Sequence, residues 1–179
     1  MPIYNAPLAD MKFILNDVFN AEQFWQANEN LAHVDAATAE AILEEMAKFA
    51  QNVTHPLNRT GDEEGATYSN GNVTTPAGFK AAFKQYAEGG WIGLAADEEW
   101  GGQGMPKMLT VLADEMLFAT NPSFMLYPLL SVGAGMALNS YASQEQKETY
   151  LPKIYSGEWS GTMCLTEPHA GTDLGIIKT

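Results

Sequence analysis

The sequence predicts an all-α domain over most of its length, with the first strand of a truncated β-domain at its C-terminal end. Three observations indicate this. Apolar residues recur at spacings of three and four, as in Ile42, Met46 and Phe49. Residues that begin or end helices separate the apolar segments. After Gly157 the helical spacing is lost, and residues 159–166 are small or suited to a β conformation.

Capping residues place the helix ends in the first half of the chain. Asp10 is predicted to cap a short helix, and Asp35 is predicted to cap a longer one that Pro56 ends. Residues 58–75 are polar and rich in glycine, and the Asn-Gly dipeptide at 70–71 indicates a small hairpin in this exposed segment.

Four further helices are predicted in the second half of the chain. Their starts are indicated by Thr75, Pro106, Asn121 and Ser143. Pro128 favours a split or a kink in the third of these helices, and the last is expected to end before Pro152.

The composition excludes several classes of function. The chain has 179 residues and a net charge of −13, with Arg59 as its one arginine. A nucleic-acid binder needs a basic patch, and an anionic membrane surface repels a chain of this charge. No charge lies between Glu115 and Glu145, but prolines and polar residues interrupt this stretch. A buried helix is therefore expected there rather than a membrane span.

The single cysteine, Cys164, excludes an intramolecular disulfide and a cysteine-based zinc cluster. His169 and Asp173 stand near it, but their spacing fits no metal cluster, and no metal site is expected. The N-terminal residues lack the basic and apolar regions of a signal peptide, and the protein is expected in the cytoplasm.

Residues 163–173 contain the strongest candidate for a ligand site. A predicted strand ends there in a turn of small residues, where backbone N–H groups can face a ligand and Gly171 allows close approach. The hydroxyls of Thr166 and Thr172 can donate or accept hydrogen bonds. Such a loop suits an anionic or polar planar ligand. An ordinary exit from a strand into a loop is the alternative, and the residues alone leave both open.

Residues 166–173, Thr-Glu-Pro-His-Ala-Gly-Thr-Asp, are similar to the flavin-contact signature T-E-P-x-A-G-S-D of the acyl-CoA dehydrogenases. The segments 100–104 (W-G-G-Q-G), 144–152 (with E-Q-K and Y-L-P) and 156–158 (S-G-E) also resemble family motifs, in the same order. Residues 4–11 resemble the N-terminal extension of a bacterial subgroup that includes methylthiopropionyl-CoA dehydrogenase-like enzymes. The resemblance covers almost the whole chain.

The resemblance implies three regions. Residues 1–34 form an N-terminal extension with short helices, residues 35–157 form the helical N-terminal domain, and residues 158–179 begin a truncated middle β-domain. It also implies the activity of the parent enzyme, which is α,β-desaturation of an acyl-CoA thioester with hydride transfer to N5 of FAD. An electron acceptor and a homo-oligomeric parent follow from the same resemblance, as does a place in fatty acid metabolism.

The family pattern implies which residues contact the cofactor. They are Met163, Cys164, Leu165, Thr166, Gly171 and Thr172. Thr166 is expected near the pyrimidine part of the flavin, where donors stabilise the charge of the reduced ring. Thr172 is expected to contact the acyl-CoA as well. The catalytic Glu of the family is expected beyond Thr179, so no residue here is assigned to catalysis. The chain alone is therefore expected to be inactive and to bind FAD weakly or not at all.

Some alternatives remain open at this point. A flavin-dependent oxidase or monooxygenase of the same fold is one, and a non-catalytic helical interaction module is another. Asp114 and Glu115 are expected on a solvated helix face rather than in a catalytic pair. Trp91, Phe124 and Tyr127 are candidates for the acyl pocket, although core packing is the default expectation for such aromatic residues.

Overall fold

The computed structural model of the protein describes residues 3–178. In this range the chain forms eight α-helices and one two-stranded hairpin. The elements are α1 Leu8–Phe13, α2 Ala21–Gln26, α3 Ala36–Phe49, α4 His55–Glu64, β1 Thr67–Ser69, β2 Asn72–Thr74, α5 Phe79–Glu88, α6 Lys107–Thr120, α7 Pro122–Tyr141 and α8 Gln144–Tyr155. The predicted all-α fold class is confirmed.

Helices α3 and α4 are joined without a break, so the prediction that Pro56 ends the helix is wrong. A π-helical turn at Ala50–Thr54 connects them, and Pro56 lies in the first turn of α4. Proline has no N–H to donate, and in a regular α-helix its ring collides with the carbonyl of the preceding turn. A wider turn immediately before the proline relieves this conflict. Residues 58–64, the first part of the segment predicted as an exposed excursion, are therefore helical.

The small hairpin predicted at 70–71 is confirmed. Strands β1 and β2 pair antiparallel, with Thr67 opposite Thr74 and Ser69 opposite Asn72. The two turn residues have φ values of 50° and 81°, as a two-residue turn of this hand requires.

Three predicted helix caps are confirmed. The Asp35 carboxylate accepts from the backbone N–H of Thr38 at 2.7 Å, and the Asn121 side chain accepts from Phe124 at 3.0 Å. Ser143 forms the predicted capping box at the start of α8. Pro106 immediately precedes α6, close to its predicted start.

Three local predictions are wrong. Asp10 lies inside α1, and α5 begins at Phe79 rather than after Thr75. Pro152 lies within α8 rather than beyond it. Pro128 does not split α7, which continues through it. Packing against other helices stabilises these proline-containing turns despite the missing hydrogen bond.

The strand predicted over residues 159–166 is not formed. A strand needs a partner for its backbone groups, and the described residues supply none for this segment. The segment is instead held against α8 through Trp159. The Trp159 ring lies 5.7 Å from the Tyr150 ring, with the Lys153 amine 4.2 Å above it. The backbone N–H of Trp159 also donates to the carbonyl of Lys153 at 2.9 Å.

The main apolar core lies where α3, α5, α6 and α7 meet. Its most buried side chains include Leu43, Met46, Leu109 and Met116. The N-terminal helices α1 and α2 pack onto the same core, and Trp25 is 1% exposed there. A smaller cluster joins α8 to the loop after α5, and its buried residues are Trp100, Leu151, Ile154 and Tyr155.

A buried polar cluster of three residues, Thr54, Thr120 and Asn121, ties the π-helical turn to the corner between α6 and α7. The Thr54 and Thr120 hydroxyls lie 2.7 Å apart, and the Asn121 amide donates to the Thr54 carbonyl at 3.2 Å. All three residues are at most 1% exposed. Every bond in this cluster is shielded from water, so losing one leaves a buried group unpaired.

We expect Asn121→Ala to lower the free energy of unfolding by about 2–3 kcal/mol, measured by urea denaturation. The change removes an N-cap, which is typically about 1 kcal/mol, and leaves the buried Thr54 carbonyl without its donor. Ser143→Ala is the matched control, because Ser143 is also an N-cap but is exposed. It should cost only about 1 kcal/mol. Equal losses in the two variants would contradict a special role for the buried cluster.

Candidate functional site

A cavity of about 790 Å³ lies between α6, α7 and the turn that follows α5. Residues 162–165 border it on one side, and its walls are largely apolar. Its most buried lining residues are Tyr86, Ile92, Leu94 and Met125, each at most 3% exposed, and we call the region beside them its buried end. A concave, mostly apolar space of this size with a few polar groups is typical of a small-molecule site.

The glycine-rich loop at 100–104 holds one wall of the cavity in place. Gly104 donates to the carbonyl of Ala96 and Met105 donates to that of Leu94, both at 2.9 Å. At Gly102 a β-carbon would lie 2.2 Å from the Ala96 carbonyl oxygen, so no larger residue fits. Leu94 and Ala96 both line the cavity, so this loop shapes it indirectly.

The segment that borders the cavity is attached to the middle of α7. The backbone N–H of Gly161 donates to the buried Ser131 hydroxyl at 3.1 Å. A β-carbon at Gly161 would lie 2.4 Å from the β-carbon of Ala134, so the contact needs glycine. This close approach places Thr162 and the residues after it at the cavity edge.

Three polar residues of α6 also line the cavity: Lys107, Thr110 and Asp114. They stand three, four and seven residues apart, which places them on one face of the helix. Burial raises the pKa of the Asp114 carboxyl to about 6, although the charge of Lys107 acts in the opposite direction. Burial raises the pKa of the Tyr86 hydroxyl, and the nearby Asp114 charge adds to this effect.

The Thr110 hydroxyl is buried at its oxygen. Among residues 3–178, it is the side-chain polar atom that is buried without any hydrogen-bond partner. Buried polar groups are normally paired, so this hydroxyl is an exception; rotation about Cα–Cβ carries it to the cavity surface, where a ligand can supply the partner.

The comparisons with known proteins identify the chain. The model of the acyl-CoA dehydrogenase N-terminal domain matches residues 36–158. The chain belongs to the acyl-CoA dehydrogenase family. It is 39% identical to the 3-methylmercaptopropionyl-CoA dehydrogenase of Ruegeria pomeroyi, over 98% of this chain and 30% of that protein. It is 31% identical to a butyryl-CoA dehydrogenase of Syntrophomonas wolfei, over 98% of this chain and 29% of that protein.

The resemblance predicted from the motifs is therefore confirmed. The chain spans about 30% of the length of these curated acyl-CoA dehydrogenases. Among solved structures, it is similar to the glutaryl-coenzyme A dehydrogenase of a glutaryl-CoA complex, with a TM-score of 0.65 and 22% identity. That match covers 78% of this chain and 33% of the other, and it shows the shared fold.

The structure brings only some of the predicted cofactor residues of this family to the cavity. Met163, Cys164 and Leu165 line it. Thr166, Gly171 and Thr172 are exposed outside it, and the turn before the last two is closed by paired backbone bonds between Glu167 and Ala170. Their role toward a flavin stays a prediction.

Sequence reasoning missed part of the site. Thr162 and the α6 residues were not identified. Asp114, expected on a solvated helix face, is instead half-buried and lines the cavity. Glu115, its neighbour, is exposed as expected. The four-residue spacing of Thr110 and Asp114 indicates that they share a helix face. It indicates a site only when the residues opposite that face are known.

The three candidate aromatic residues have different surroundings. Trp91 lines the cavity. Phe124 is 3% exposed and packs against the rings of Phe49, Phe79 and Tyr86, so it belongs to the core. Tyr127 is outside the cavity lining and lies edge-on to Phe83, with the ring centres 4.7 Å apart.

Two other classes of site are not found in the part of the chain that the structure describes. Residues 3–178 contain no group of three or more His, Cys, Asp or Glu side chains arranged to hold a metal ion. In the same range no helix has the length and hydrophobicity needed to cross a membrane.

We expect Asp114→Asn to stabilise the chain in a pH-dependent way. A carboxyl whose pKa is raised on folding binds its proton more tightly in the folded state, so stability falls as pH rises from about 4 to above 6. The variant lacks this loss. After discounting for partial solvent exposure, it should be more stable by about 1 kcal/mol at pH 8. Urea denaturation should show this gap closing below pH 4.

Glu115→Gln is the matched control for that measurement, because it removes one negative charge from an exposed position of the same helix. Its difference from the parent chain should stay within about 0.5 kcal/mol at every pH. A pH-dependent gap of equal size in both variants would indicate a general charge effect and contradict the burial of Asp114.

We expect Thr110→Val to raise the free energy of unfolding by about 1 kcal/mol, because it replaces an unpaired buried hydroxyl by a methyl group of the same shape. Thr54→Val is the control, because the Thr54 hydroxyl is buried and paired with Thr120. That substitution should lower the free energy by about 1–2 kcal/mol. Thermal or urea denaturation gives both values, and a loss of stability in both variants would overturn the assignment of Thr110.

Proposed function

We propose that this chain supplies the N-terminal helical domain of an FAD-dependent acyl-CoA dehydrogenase, which introduces a double bond between Cα and Cβ of an acyl-CoA thioester. One observation carries the proposal. The segment that resembles the family's flavin-contact signature leads directly from the border of a large apolar cavity. An acyl chain needs an apolar space next to the flavin, and here the apolar cavity adjoins the segment that resembles the flavin signature.

The residues at the cavity edge are suited to a flavin. Among the described residues, the backbone N–H groups of residues 163–166 have no hydrogen-bond acceptor. Free donors of this kind suit the polar edge of a planar ring that becomes negatively charged on reduction. Met163, Cys164 and Leu165 would lie against the ring, and Thr166, Gly171 and Thr172 would hold it by the turn that follows.

The chain's own part in the reaction is binding and orientation. Trp91, Leu94 and Leu129 would enclose the acyl chain and exclude water from it. The Gly161 contact with Ser131 would fix the distance between the cavity and the cofactor segment. FAD, when bound, supplies the acceptor for the hydride that leaves Cβ. We assign no residue of the described chain to removal of the α-proton.

The resemblance supports the wider setting of this proposal. We place the protein in the cytoplasm, in fatty acid metabolism, as part of a homo-oligomer that passes electrons to a separate acceptor. We also retain the division into residues 1–34, 35–157 and 158–179 as the extension, the helical domain and the start of a β-domain.

Binding of an acyl-CoA by the chain tests the proposal. Octanoyl-CoA is expected to raise the melting temperature of the chain in the presence of FAD, and CoA without an acyl group is expected to raise it less. Gly161→Ala should abolish the difference, because its new methyl group collides with Ala134 and displaces the cavity border. Ser160→Ala, an exposed neighbour, should preserve it. Equal effects of octanoyl-CoA and CoA on the parent chain would contradict the proposal.

A turnover assay tests the assignment of roles. The 179-residue chain with FAD, octanoyl-CoA and an artificial electron acceptor is expected to show no oxidation. Clear FAD-dependent turnover would contradict the expectation that the group removing the α-proton lies outside this chain.

A further inference from the structure

The cavity has one polar wall, and hydrocarbon packing does not explain it. Thr110 and Asp114 lie on the α6 face of the cavity, while the facing residues of α7 are apolar, among them Met125, Leu129 and Val132. A wall that only contacts an acyl chain is stabilised by apolar residues at every position. Two polar residues one helical turn apart are therefore a specific feature of this cavity.

Neither polar group has a hydrogen-bond partner in the part of the chain that the structure describes, although the Lys107 charge acts on Asp114 from a distance. Within residues 3–178, the Thr110 hydroxyl has no hydrogen bond, and the Asp114 carboxyl makes no hydrogen bond or ion pair. Asp114 is only half-buried, and water in the open cavity can solvate it. Asp114 and the buried Tyr86 both line the cavity, and the Asp114 charge contributes to the raised pKa of the Tyr86 hydroxyl, so the two groups lie within electrostatic reach of each other.

The chemistry of the ligand decides whether the Thr110 hydroxyl and the Asp114 carboxylate are hydrogen-bonded when the cavity is filled. A hydrocarbon chain that fills the buried end displaces water from the Asp114 carboxylate and offers no hydrogen bond in return, which is unfavourable. A hydroxyl at the same depth donates to the carboxylate, and rotation of the Thr110 side chain about Cα–Cβ lets the Thr110 hydroxyl donate to it as well. A site built to hydrogen-bond a polar atom strongly rejects ligands that lack this atom. An apolar site rejects ligands with an extra polar atom less strongly.

We propose, resting on the acyl-CoA function above, that Thr110 and Asp114 select acyl thioesters whose acyl chain carries a hydroxyl far from the thioester over plain hydrocarbon chains. The two residues are specificity determinants and take no part in the bond changes. Lys107 stands seven residues before Asp114, about 10 Å along the helix, and is exposed at the cavity rim, so it lies outside this polar end.

Matched pairs of thioesters test the inference on the 179-residue chain in the presence of FAD. Butyryl-, hexanoyl- and octanoyl-CoA are each compared by calorimetry with the thioester that carries a hydroxyl on the last carbon. For at least one chain length, the hydroxylated member should bind at least about tenfold more tightly, the effect of one well-placed hydrogen bond to a buried charged group. Equal or weaker binding of the hydroxylated member at every length overturns the inference.

Two variants locate the preference. Asp114→Leu and Thr110→Val should each reduce the ratio of the two affinities toward one, with hydrocarbon thioesters binding as well as before or better. The ratio is compared within one protein, so general damage to the cavity weakens both ligands and leaves it unchanged. Asp114→Asn, which keeps the shape of the side chain, is a second variant if the leucine disturbs folding, and it should also reduce the ratio.

Glu115→Gln is the control, because it alters an exposed position of the same helix and should preserve the full ratio. A ratio that stays above tenfold in all three cavity variants would overturn the assignment to these residues. If none of the thioesters binds more tightly than CoA, the acyl-CoA function is contradicted and this inference falls with it. If hydrocarbon thioesters bind without any preference for the hydroxyl, this inference alone is contradicted.

Discussion

The buried cluster of Thr54, Thr120 and Asn121 is the constraint on which the rest of the structure depends. It joins three helical segments at one point, because the π-helical turn supplies Thr54 and the corner between α6 and α7 supplies the other two. A polar contact sealed from water has few alternative geometries, so it defines where the two helices separate. From this corner α6 and α7 diverge, and the cavity lies between them.

The cavity is completed by backbone contacts that admit only glycine. Within the loop after α5, Gly102 packs against the carbonyl of Ala96. In the C-terminal segment, Gly161 packs against Ala134 of α7. The first contact supports the wall that contains Leu94 and Ala96, and the second holds the segment that leads to residues 162–165. The depth of such a site depends on how the helices pack, and its borders depend on the close approaches that glycine allows. Thr110 and Asp114 line a cavity only when both conditions are met.

Local signals in the sequence predicted the features that depend only on neighbouring residues. The cap at Asp35, the capping box at Ser143 and the turn at 70–71 need partners no more than a few residues away. Pro56 and Pro152 were misinterpreted because the rule that proline ends a helix is local, whereas packing of the whole helix decides the outcome. A π-helical turn before Pro56 has no sequence signal of its own.

The cofactor segment and the polar residues of α6 also differ in how far the sequence predicts them. The family resemblance predicted the cofactor segment from a motif, and the structure brings Met163, Cys164 and Leu165 of it to the cavity. No motif marks Asp114. It is three residues before the buried Leu117, at the edge of the core-facing surface, and such a position is solvated or enclosed according to what packs beside it. Here Asp114 lines the cavity between α6 and α7, so a carboxylate that a lone helix would expose is half-buried beside apolar residues. A position of this kind acquires a specific environment only through tertiary packing, which a helical pattern alone does not reveal.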